Sequence, residues 1–435
     1  MVTIFIDTLG CAKNQVDSEE LATKLSKCGY SVVYEPNRAD IIIVNTCGFI
    51  ESAKSEAIDT LLYYRNTYPQ KKIIAAGCLV QRYCNELATE MPELDGFAGN
   101  GKLDDVLSVV DSAVKGQKLS KYSRPGHYLP ENRDYFFGFK GQAYVKISEG
   151  CSNHCSYCAI PLIRGELSSR PLDHIITECK KLLELGTYEL TFIGQDVGSY
   201  GKDSGTSLYE LLSKLGELKG NFVIRLLYMH PDHFPLDILS CMQQDKRIIP
   251  YFDIPFQHAS EKILRAMNRK GTSTQYLTLL ETIRNQLPHA VIRSTFLVGF
   301  PGESEDDFQE LLNFQKQAQF DWLGAFEYSR EENTEAYGMK PRVPKRLAQQ
   351  RRKQIEEIQQ YISQERLRRY IGTEQTVLIE ETITDSDLCI GRAFMQAPEV
   401  DGAVVLTGCT AKPGSVVTAR IVAVRGIDLE GIVIS

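Results

Sequence analysis

Glu149-Gly150-Cys151-Ser152-Asn153-His154-Cys155-Ser156-Tyr157-Cys158 sets three cysteines at the spacing C-x3-C-x2-C, directly after a predicted strand, Ala143–Ile147. One loop at that spacing can wrap a single cluster. Soft thiolates select iron–sulfur or zinc, and an iron–sulfur cubane normally takes four of them. This loop supplies three, so one iron is left open to a substrate or cofactor. The plain rival is a zinc site completed by His154. Zinc loops usually come as two paired halves, and no second half follows here.

On either side of this loop, apolar runs alternate with segments of helical spacing. Downstream, Glu189–Ile193, Val223–Tyr228, Tyr251–Ile254, Val291–Val298 and Trp322–Glu327 read as strands. His174–Leu185 and Asp306–Gln317 read as two of the helices between them. With Ala143–Ile147 this makes six units, which predicts a partial, TIM-like (β/α)6 barrel. Upstream, Thr3–Thr8, Ile41–Asn45 and Ile73–Ala76 are continuous apolar runs separated by helical patterns at Ser18–Lys27 and Glu51–Tyr64. That pattern predicts an open parallel α/β sheet. Gly116–Asn132, with Pro125, Gly126 and Pro130, reads as a linker. Pro344–Tyr370 is a basic helix with eight Lys/Arg against three Glu, read as a solvated helix along the barrel in preference to an RNA-binding arm. From Gly372, short β-branched runs between turns predict a small all-β barrel. The fold class is thus α/β with an all-β C-terminus, divided as 1–115, a linker over 116–138, 139–371 and 372–435.

Bulk properties narrow the function. The chain has 435 residues, 43% hydrophobic and 24% charged, with a net charge of −7, so the whole is ordinary globular material not built to seek nucleic acid. No apolar stretch is long enough to cross a bilayer and no signal-peptide pattern opens the sequence, so no membrane partner is expected and the location is expected to be cytoplasmic. Twelve cysteines then call for ligation or inert burial instead of disulfides.

Three more cysteines occupy matching places. Leu9-Gly10-Cys11, Thr46-Cys47-Gly48 and Gly77-Cys78 each end a predicted strand beside a glycine. The carboxyl ends of an open parallel sheet share one edge, so Cys11, Cys47 and Cys78 can converge there and hold a second cluster. One cysteine so placed would more often be packing; three in consecutive units reverse that reading. Cys28, Cys84, Cys179, Cys241, Cys389 and Cys409 sit singly and are read as structural.

The loop at 151–158, with Tyr157 before its last cysteine, resembles the radical S-adenosylmethionine superfamily. Together with the dispersed triplet and the C-terminal barrel, the whole chain resembles the methylthiotransferases. These have an N-terminal cluster domain, a radical S-adenosylmethionine domain and a TRAM barrel. Leu9-Gly10-Cys11-Ala12-Lys13-Asn14-Gln15-Val16-Asp17-Ser18-Glu19, Asn45-Thr46-Cys47-Gly48-Phe49-Ile50 and Asp253-Ile254-Pro255-Phe256-Gln257-His258-Ala259 are similar to the RimO type, which modifies a ribosomal protein. Ala12 departs from the proline commoner there, in a turn and not at a ligand. The tRNA-modifying MiaB type typically starts with a Tyr-Gly-Cys-Gln-Met-Asn-like run, absent here.

This resemblance implies two [4Fe-4S] clusters, on Cys11, Cys47, Cys78 and on Cys151, Cys155, Cys158. It also implies that the second cluster cleaves S-adenosylmethionine to a 5′-deoxyadenosyl radical. The radical takes hydrogen from the β-carbon of an aspartate on small-subunit ribosomal protein twelve, within the ribosome or free. Sulfur arrives through the first cluster and a methyl group from a second S-adenosylmethionine. A flavodoxin or ferredoxin would supply electrons, and tRNA is not an expected partner. The rivals are a tRNA adenosine methylthiotransferase and, from another class, a non-catalytic iron–sulfur or RNA-binding adaptor.

Charge favours the protein substrate. From Gly372 to Ser435 four Lys/Arg stand against nine Asp/Glu, where an RNA-binding barrel should be basic. Against this stands the reading that the barrel merely packs on its neighbour. By resemblance, Gln195 and Asp196 after the strand Glu189–Ile193 help hold the methionine part of S-adenosylmethionine, the alternative being a capped turn. Arg225, in an apolar strand, is either a cofactor contact or half of a buried ion pair. Val298-Gly299-Phe300-Pro301-Gly302-Glu303 matches the superfamily's loop near the adenosine, and His258 reads as a polar barrel residue, not a base.

Overall fold

Continuous apolar runs make the first sheet. A computed structural model describes residues 1–126, 133–384 and 386–434, which fall into two units: 1–137 with 146–171 and 329–337, and the remainder. In the first unit, β1 (Thr3–Thr8), β2 (Ser31–Val33), β3 (Ile41–Thr46), β4 (Lys72–Gly77), β5 (Gly96–Ala98) and β6 (Leu119–Lys121) pair in parallel in the order β2-β1-β3-β4-β5-β6. The crossovers are α1 (Ala12–Lys27), α2 (Glu51–Thr67), α3 (Cys78–Glu90) and α4 (Leu103–Val114).

Every residue of β3 is buried, because both faces of the sheet are covered. Its side chains alternate: Ile42 and Val44 join Leu61 of α2 and Leu79 of α3, while Ile41 and Ile43 join Leu21 of α1 and Val109 of α4. The chain steps outward from β1 to β2, then returns to lay β3 on the other side of β1. The crossover helix changes face there, so the carboxyl ends of β1 and β3 border the crevice that such sheets use for ligands.

Sequence periodicity missed β2, β5 and β6, whose three residues each are too few to show a period. β6 lies inside the stretch read as linker; Pro130 of that linker lies outside the described residues. After β7 (Gln142–Lys146), a strand of the second unit, the chain returns to the first. There β8 (Ser148–Glu149) pairs antiparallel with β9 (Ser168–Ser169), and α5 (Ile160–Arg164) lies between them.

In the second unit β11 (Val223–Leu226), β10 (Glu189–Ile193) and β7 form one three-stranded sheet, and β12 (Tyr251–Asp253), β13 (Val291–Val298) and β14 (Trp322–Glu327) form another. Parallel pairing joins β10 to β11 in the first and β12 to β13 and β13 to β14 in the second. The intervening helices are α6 (Leu172–Glu184), α7 (Leu208–Gly216), α8 (Ile238–Gln244), α9 (Glu261–Ala266), α10 (Ser273–Gln286) and α11 (Glu305–Ala318). The strand order is that of the open (β/α) barrel the sequence implied. α12 (Lys345–Arg368) packs on β14 and α11, and several of its cations are spent inward: Arg351 on Glu303, and Arg366, with Arg369 just beyond the helix, on Asp321.

β15 (Glu374–Thr382), β16 (Leu388–Arg392), β17 (Val404–Thr407), β18 (Val416–Arg425) and β19 (Asp428–Val433) close a barrel in the order β15-β16-β17-β19-β18. This barrel is fastened to the amino ends of the parallel strands. Trp322, the first residue of β14, donates its Nε1 to Met395 O (2.6 Å). Tyr251 at the start of β12 and Arg293 of β13 both hold Asp401, at 2.5 Å each. Glu189 at the start of β10 pairs with Arg392. In (β/α) barrels sites lie at the opposite, carboxyl end, and this end serves stability.

Candidate iron–sulfur sites

Each cysteine of the dispersed triplet sits where a strand turns into a helix or loop. Cys11 caps α1 after β1, Cys47 follows β3, and Cys78 opens α3 after β4. Cys11 and Cys47 therefore flank the crevice between β1 and β3. The turns demand glycine. Gly10 (φ +94°) lies so close to Cys47 that an added Cβ would stand 2.8 Å from its Cβ and 3.2 Å from its Sγ. At Gly77 (φ +95°) a Cβ would come within 2.4 Å of Asn45 Oδ1 and 2.7 Å of Thr46 O.

Two buried asparagines lock the edge. Asn14 donates to Leu9 O (2.8 Å) and Thr46 O (3.2 Å), and Asn45 donates to Asn14 O and Ser18 Oγ, both at 2.9 Å. Exposure falls from Cys11, which is exposed, through Cys47 to buried Cys78.

The 151–158 loop is pinned at its base by the β8–β9 pair and by Cys151 N donating to Gly165 O (3.0 Å). Cys158 N closes on Cys155 O (3.0 Å). The helix that follows, α5, lies against α3, and its Ile163, with Ala159 just before the helix, packs directly on Cys78. So one cysteine of the dispersed triplet abuts the segment that leaves the local triplet.

Arg164 ends α5 and is buried. It donates to Cys78 Sγ (3.3 Å), Asn14 Oδ1 (2.6 Å), Asp17 Oδ2 (2.7 Å) and the Glu149 carboxylate (3.1 and 3.2 Å). Lys146 completes the network with Asp17 and Glu149. A cavity of about 420 Å3 opens beside it, lined among others by Asp17, Lys146, Glu149 and Arg164.

A strap also holds the loop. In 329–337, Ala336 N donates to Ser156 O (2.8 Å), while buried Glu331 takes Arg82 (2.7 Å) and Lys54 (3.2 Å) from α3 and α2.

The donor chemistry suits iron–sulfur clusters. Burial, with Cys11 and Cys47 nearby, pushes the Cys78 thiol up to about 12 against the pull of Arg164, and burial also raises Cys47. Thiols so raised are neutral and poor nucleophiles, but a soft cation deprotonates them on binding. A cubane takes each of three thiolates on a separate iron. His154, needed for a zinc site, is exposed and faces Glu166 at 3.7 Å.

In the second unit the other expected contacts divide. Arg225, for which the sequence left a cofactor contact or a buried ion pair open, forms a buried ion pair. Its guanidinium is fully buried, holds Glu189 through Nε (3.0 Å) and Nη2 (3.1 Å), donates Nη1 to Phe394 O (2.9 Å) and lies over the Tyr251 ring. Gln195 and Asp196 follow β10 at its carboxyl end. Asp196 is buried in the turn, accepting from Ser199 Oγ (2.6 Å) and His230 N (3.1 Å). The 298–303 loop closes on itself: Glu303 accepts from Gly299 N (2.8 Å), with Arg351 on its other oxygen and His258 buried 3.6 Å away.

Cys389 and Cys409, read as structural, are both buried in the barrel, where Cys389 Sγ donates to Cys409 O (3.3 Å). Cys28, read as structural, is exposed; Cys84, Cys179 and Cys241 are buried.

Sequence reading missed Arg164 and the strap. A cation in the apolar run Ile160-Pro161-Leu162-Ile163-Arg164 was a visible signal for the first. Nothing local marks the strap.

Comparison with known proteins agrees with this layout. Residues 3–99 match the uncharacterized protein family UPF0004, 145–314 the radical SAM superfamily and 371–434 the TRAM domain. Ribosomal protein uS12 methylthiotransferase RimO of Treponema denticola is 44% identical, over 99% of this chain and 100% of the relative. The protein of the same name from Natranaerobius thermophilus is 41% identical over 98% of each. Among solved structures, the radical S-adenosylmethionine methyltransferase TsrM of Kitasatospora setae, with cobalamin and a [4Fe-4S] cluster bound, matches 78% of this chain and 77% of its own. Its TM-score is 0.57 at 13% identity, a likeness of fold.

Proposed function

The chain belongs to the RimO family of ribosomal protein uS12 methylthiotransferases, and from that premise we propose that it replaces a hydrogen on the β-carbon of a uS12 aspartate with a methylthio group. The observation that carries the two-site reading is the junction of the triplets: Cys78 packs on Ala159 and Ile163, just past Cys158. Cys11, Cys47 and Cys78 would hold one [4Fe-4S] cluster, and Cys151, Cys155 and Cys158 the other. When bound, these groups and S-adenosylmethionine supply reductive cleavage of the sulfonium and delivery of sulfur.

The chain's own residues position and shield. Gly10 and Gly77 let the backbone turn the cysteines toward the sheet edge. Asn14 and Asn45 fix the two loops beside the crevice, and Arg164 sets positive charge against Cys78. The Glu331 strap and the β8–β9 pair hold the second loop in place, which keeps its cysteines in one register. Gln195 and Asp196, at a strand carboxyl end, are the residues proposed to meet the methionine part of S-adenosylmethionine. A small one-electron carrier, a flavodoxin or ferredoxin, would reduce the clusters. No helix among the described residues is long and apolar enough to cross a membrane, and a cytoplasmic location accords with a ribosomal substrate.

The test is an anaerobic assay of the reconstituted protein with a uS12 aspartate-loop peptide and, separately, an isopentenylated tRNA anticodon stem-loop, read by mass spectrometry. The mass gain of methylthio replacing hydrogen is expected on the peptide alone. That gain on the RNA alone would overturn the substrate and leave the two-cluster chemistry standing.

A further inference from the structure

Arg164 ties the segment that leaves the 151–158 loop to the dispersed cysteine set through its own contacts. It closes the short helix that follows Cys158, and its Nη2 donates to Cys78 Sγ (3.3 Å) and Asn14 Oδ1 (2.6 Å). Asn14 in turn holds the loops that bear Cys11 and Cys47, through Leu9 O and Thr46 O. The guanidinium's far side is answered by two carboxylates, Asp17 and Glu149, and Glu149 lies two residues before Cys151. With its oxygen toward Arg164, Asn100 accepts from Nε (3.1 Å) and donates to Ile163 O (3.1 Å). Five neighbours therefore hold the fork in one orientation, with its charge against a thiolate position.

We infer that Arg164 is a positioning residue that raises the reduction potential of the cluster on Cys11, Cys47 and Cys78, with Asp17 and Glu149 as the counter-charges that limit how far. This rests on the two-cluster reading above. Adding one electron makes a cluster more negative and breaks no bond. A cation donating to a ligand sulfur favours that reduced state, and carboxylates behind the cation oppose it. An ordinary packing arginine would have no need of a sulfur contact. Lysine cannot replace it fully, because a point charge does not span the Cys78, Asn14, Asp17 and Glu149 contacts at once.

The experiment isolates the first site by replacing Cys151, Cys155 and Cys158 with alanine in the full chain. Iron is counted after anaerobic reconstitution, and the cluster is titrated with dithionite while its electron-paramagnetic-resonance signal is followed. Arg164→Gln, Arg164→Lys and Asp17→Asn are then made in this background. Arg164→Gln is expected to move the midpoint to more negative potential, Arg164→Lys to fall between, and Asp17→Asn to move it the opposite way. A role in folding alone would lower iron content without opposed shifts. Midpoints that stay together in all variants overturn the inference while leaving the cluster assignment intact. If Arg164→Gln retains no cluster, Arg164→Lys and Asp17→Asn decide by the same criterion. If the triple-alanine chain itself binds no iron, the first-site assignment fails and this inference falls with it.

Discussion

Glu189→Gln should destabilise the second unit severely while leaving the cysteine sites of the first untouched. Glu189 is buried and its carboxylate serves two guanidiniums, Arg225 at 3.0 and 3.1 Å and Arg392 at 3.1 and 3.3 Å. Burial pushes its carboxyl up, yet the two arginines outweigh that and hold it down at about 2, against an ordinary value of 4.5. At 1.36 kcal/mol per unit, that gap is worth about 3 kcal/mol. Removing one partner of a buried pair independently costs about 3–5 kcal/mol, because the other charge is stranded. At roughly 2–4 °C per kcal/mol for a large domain, the melting point of this unit should fall by about 10 °C. Arg225→Met should cost less, since Glu189 keeps Arg392. The pH dependence has a definite sign. A depressed carboxyl contributes its full stability above pH 4.5 and loses it as pH falls from there toward 2, so the acid-side decline of the wild type in that window should be shallower in Glu189→Gln, where the depressed Asp307 and Asp245 still contribute. Calorimetry of the apo chain from pH 7 to 3 reads all three. A fall of under 2 °C, or Arg225→Met costing more than Glu189→Gln, would refute the reasoning.

Gly77→Ala forces a Cβ against Asn45 Oδ1 and Thr46 O at a positive φ, at a cost of about 3 kcal/mol or more concentrated beside Cys78. Reconstituted iron should drop to about half while the Cys151 site still fills; full iron content would contradict the first site. Glu331→Gln takes from Arg82 its nearest carboxylate and from Lys54 one of several, since Glu332 remains for both and Glu51 for Lys54. Limited proteolysis within 329–337 should accelerate on the order of 10-fold, tracking an opening equilibrium shifted by about 1.5 kcal/mol. Glu381→Lys with Asp387→Lys should slow capture of uS12 several-fold at low salt and lose that effect at high salt, measured by stopped-flow association. A salt-independent loss would point to folding instead.

What the sequence made legible was what repeats or is locally spaced. β1, β3 and β4 are continuous apolar runs because both their faces are covered, and three cysteines recur at the same place in three β-to-α turns. The loop at 151–158 carries its chemistry in ten residues. What stayed hidden depends on partners far along the chain. Arg225 alone could be a cofactor contact or half of an ion pair, and the ion pair shows only once Glu189 and Phe394, 36 and 169 residues away, are brought to it. Glu331 looks like any acid in a polar stretch until α2 and α3 bring Lys54 and Arg82 beneath it. β16 carries no long β-branched run, and the inward charge of Arg392 at its end is explained only by Glu380 across the sheet and Glu189 from β10.

The same distinction reshapes what charge says about the substrate. Counting nine acids against four bases in the C-terminal barrel treats every acid as facing solvent, and two of them do not. The Asp401 carboxylate is fully buried on Arg293, and Glu380 neutralises Arg392. Glu374 and Glu430 are answered by Arg420 and Arg425 on the surface. Among the described residues, exposed acids with no ion pair are then Glu381 and Asp387, which flank the β15–β16 turn, and Glu399. Attraction of a basic ribosomal protein, if this barrel contributes it, is therefore concentrated at that turn and not spread over the barrel. Two of the acids counted along the sequence, Asp401 and Glu380, work inward and help fasten the barrel to the amino ends of β10, β12 and β13, so the packing role and the recruiting role fall to different carboxylates of one small domain.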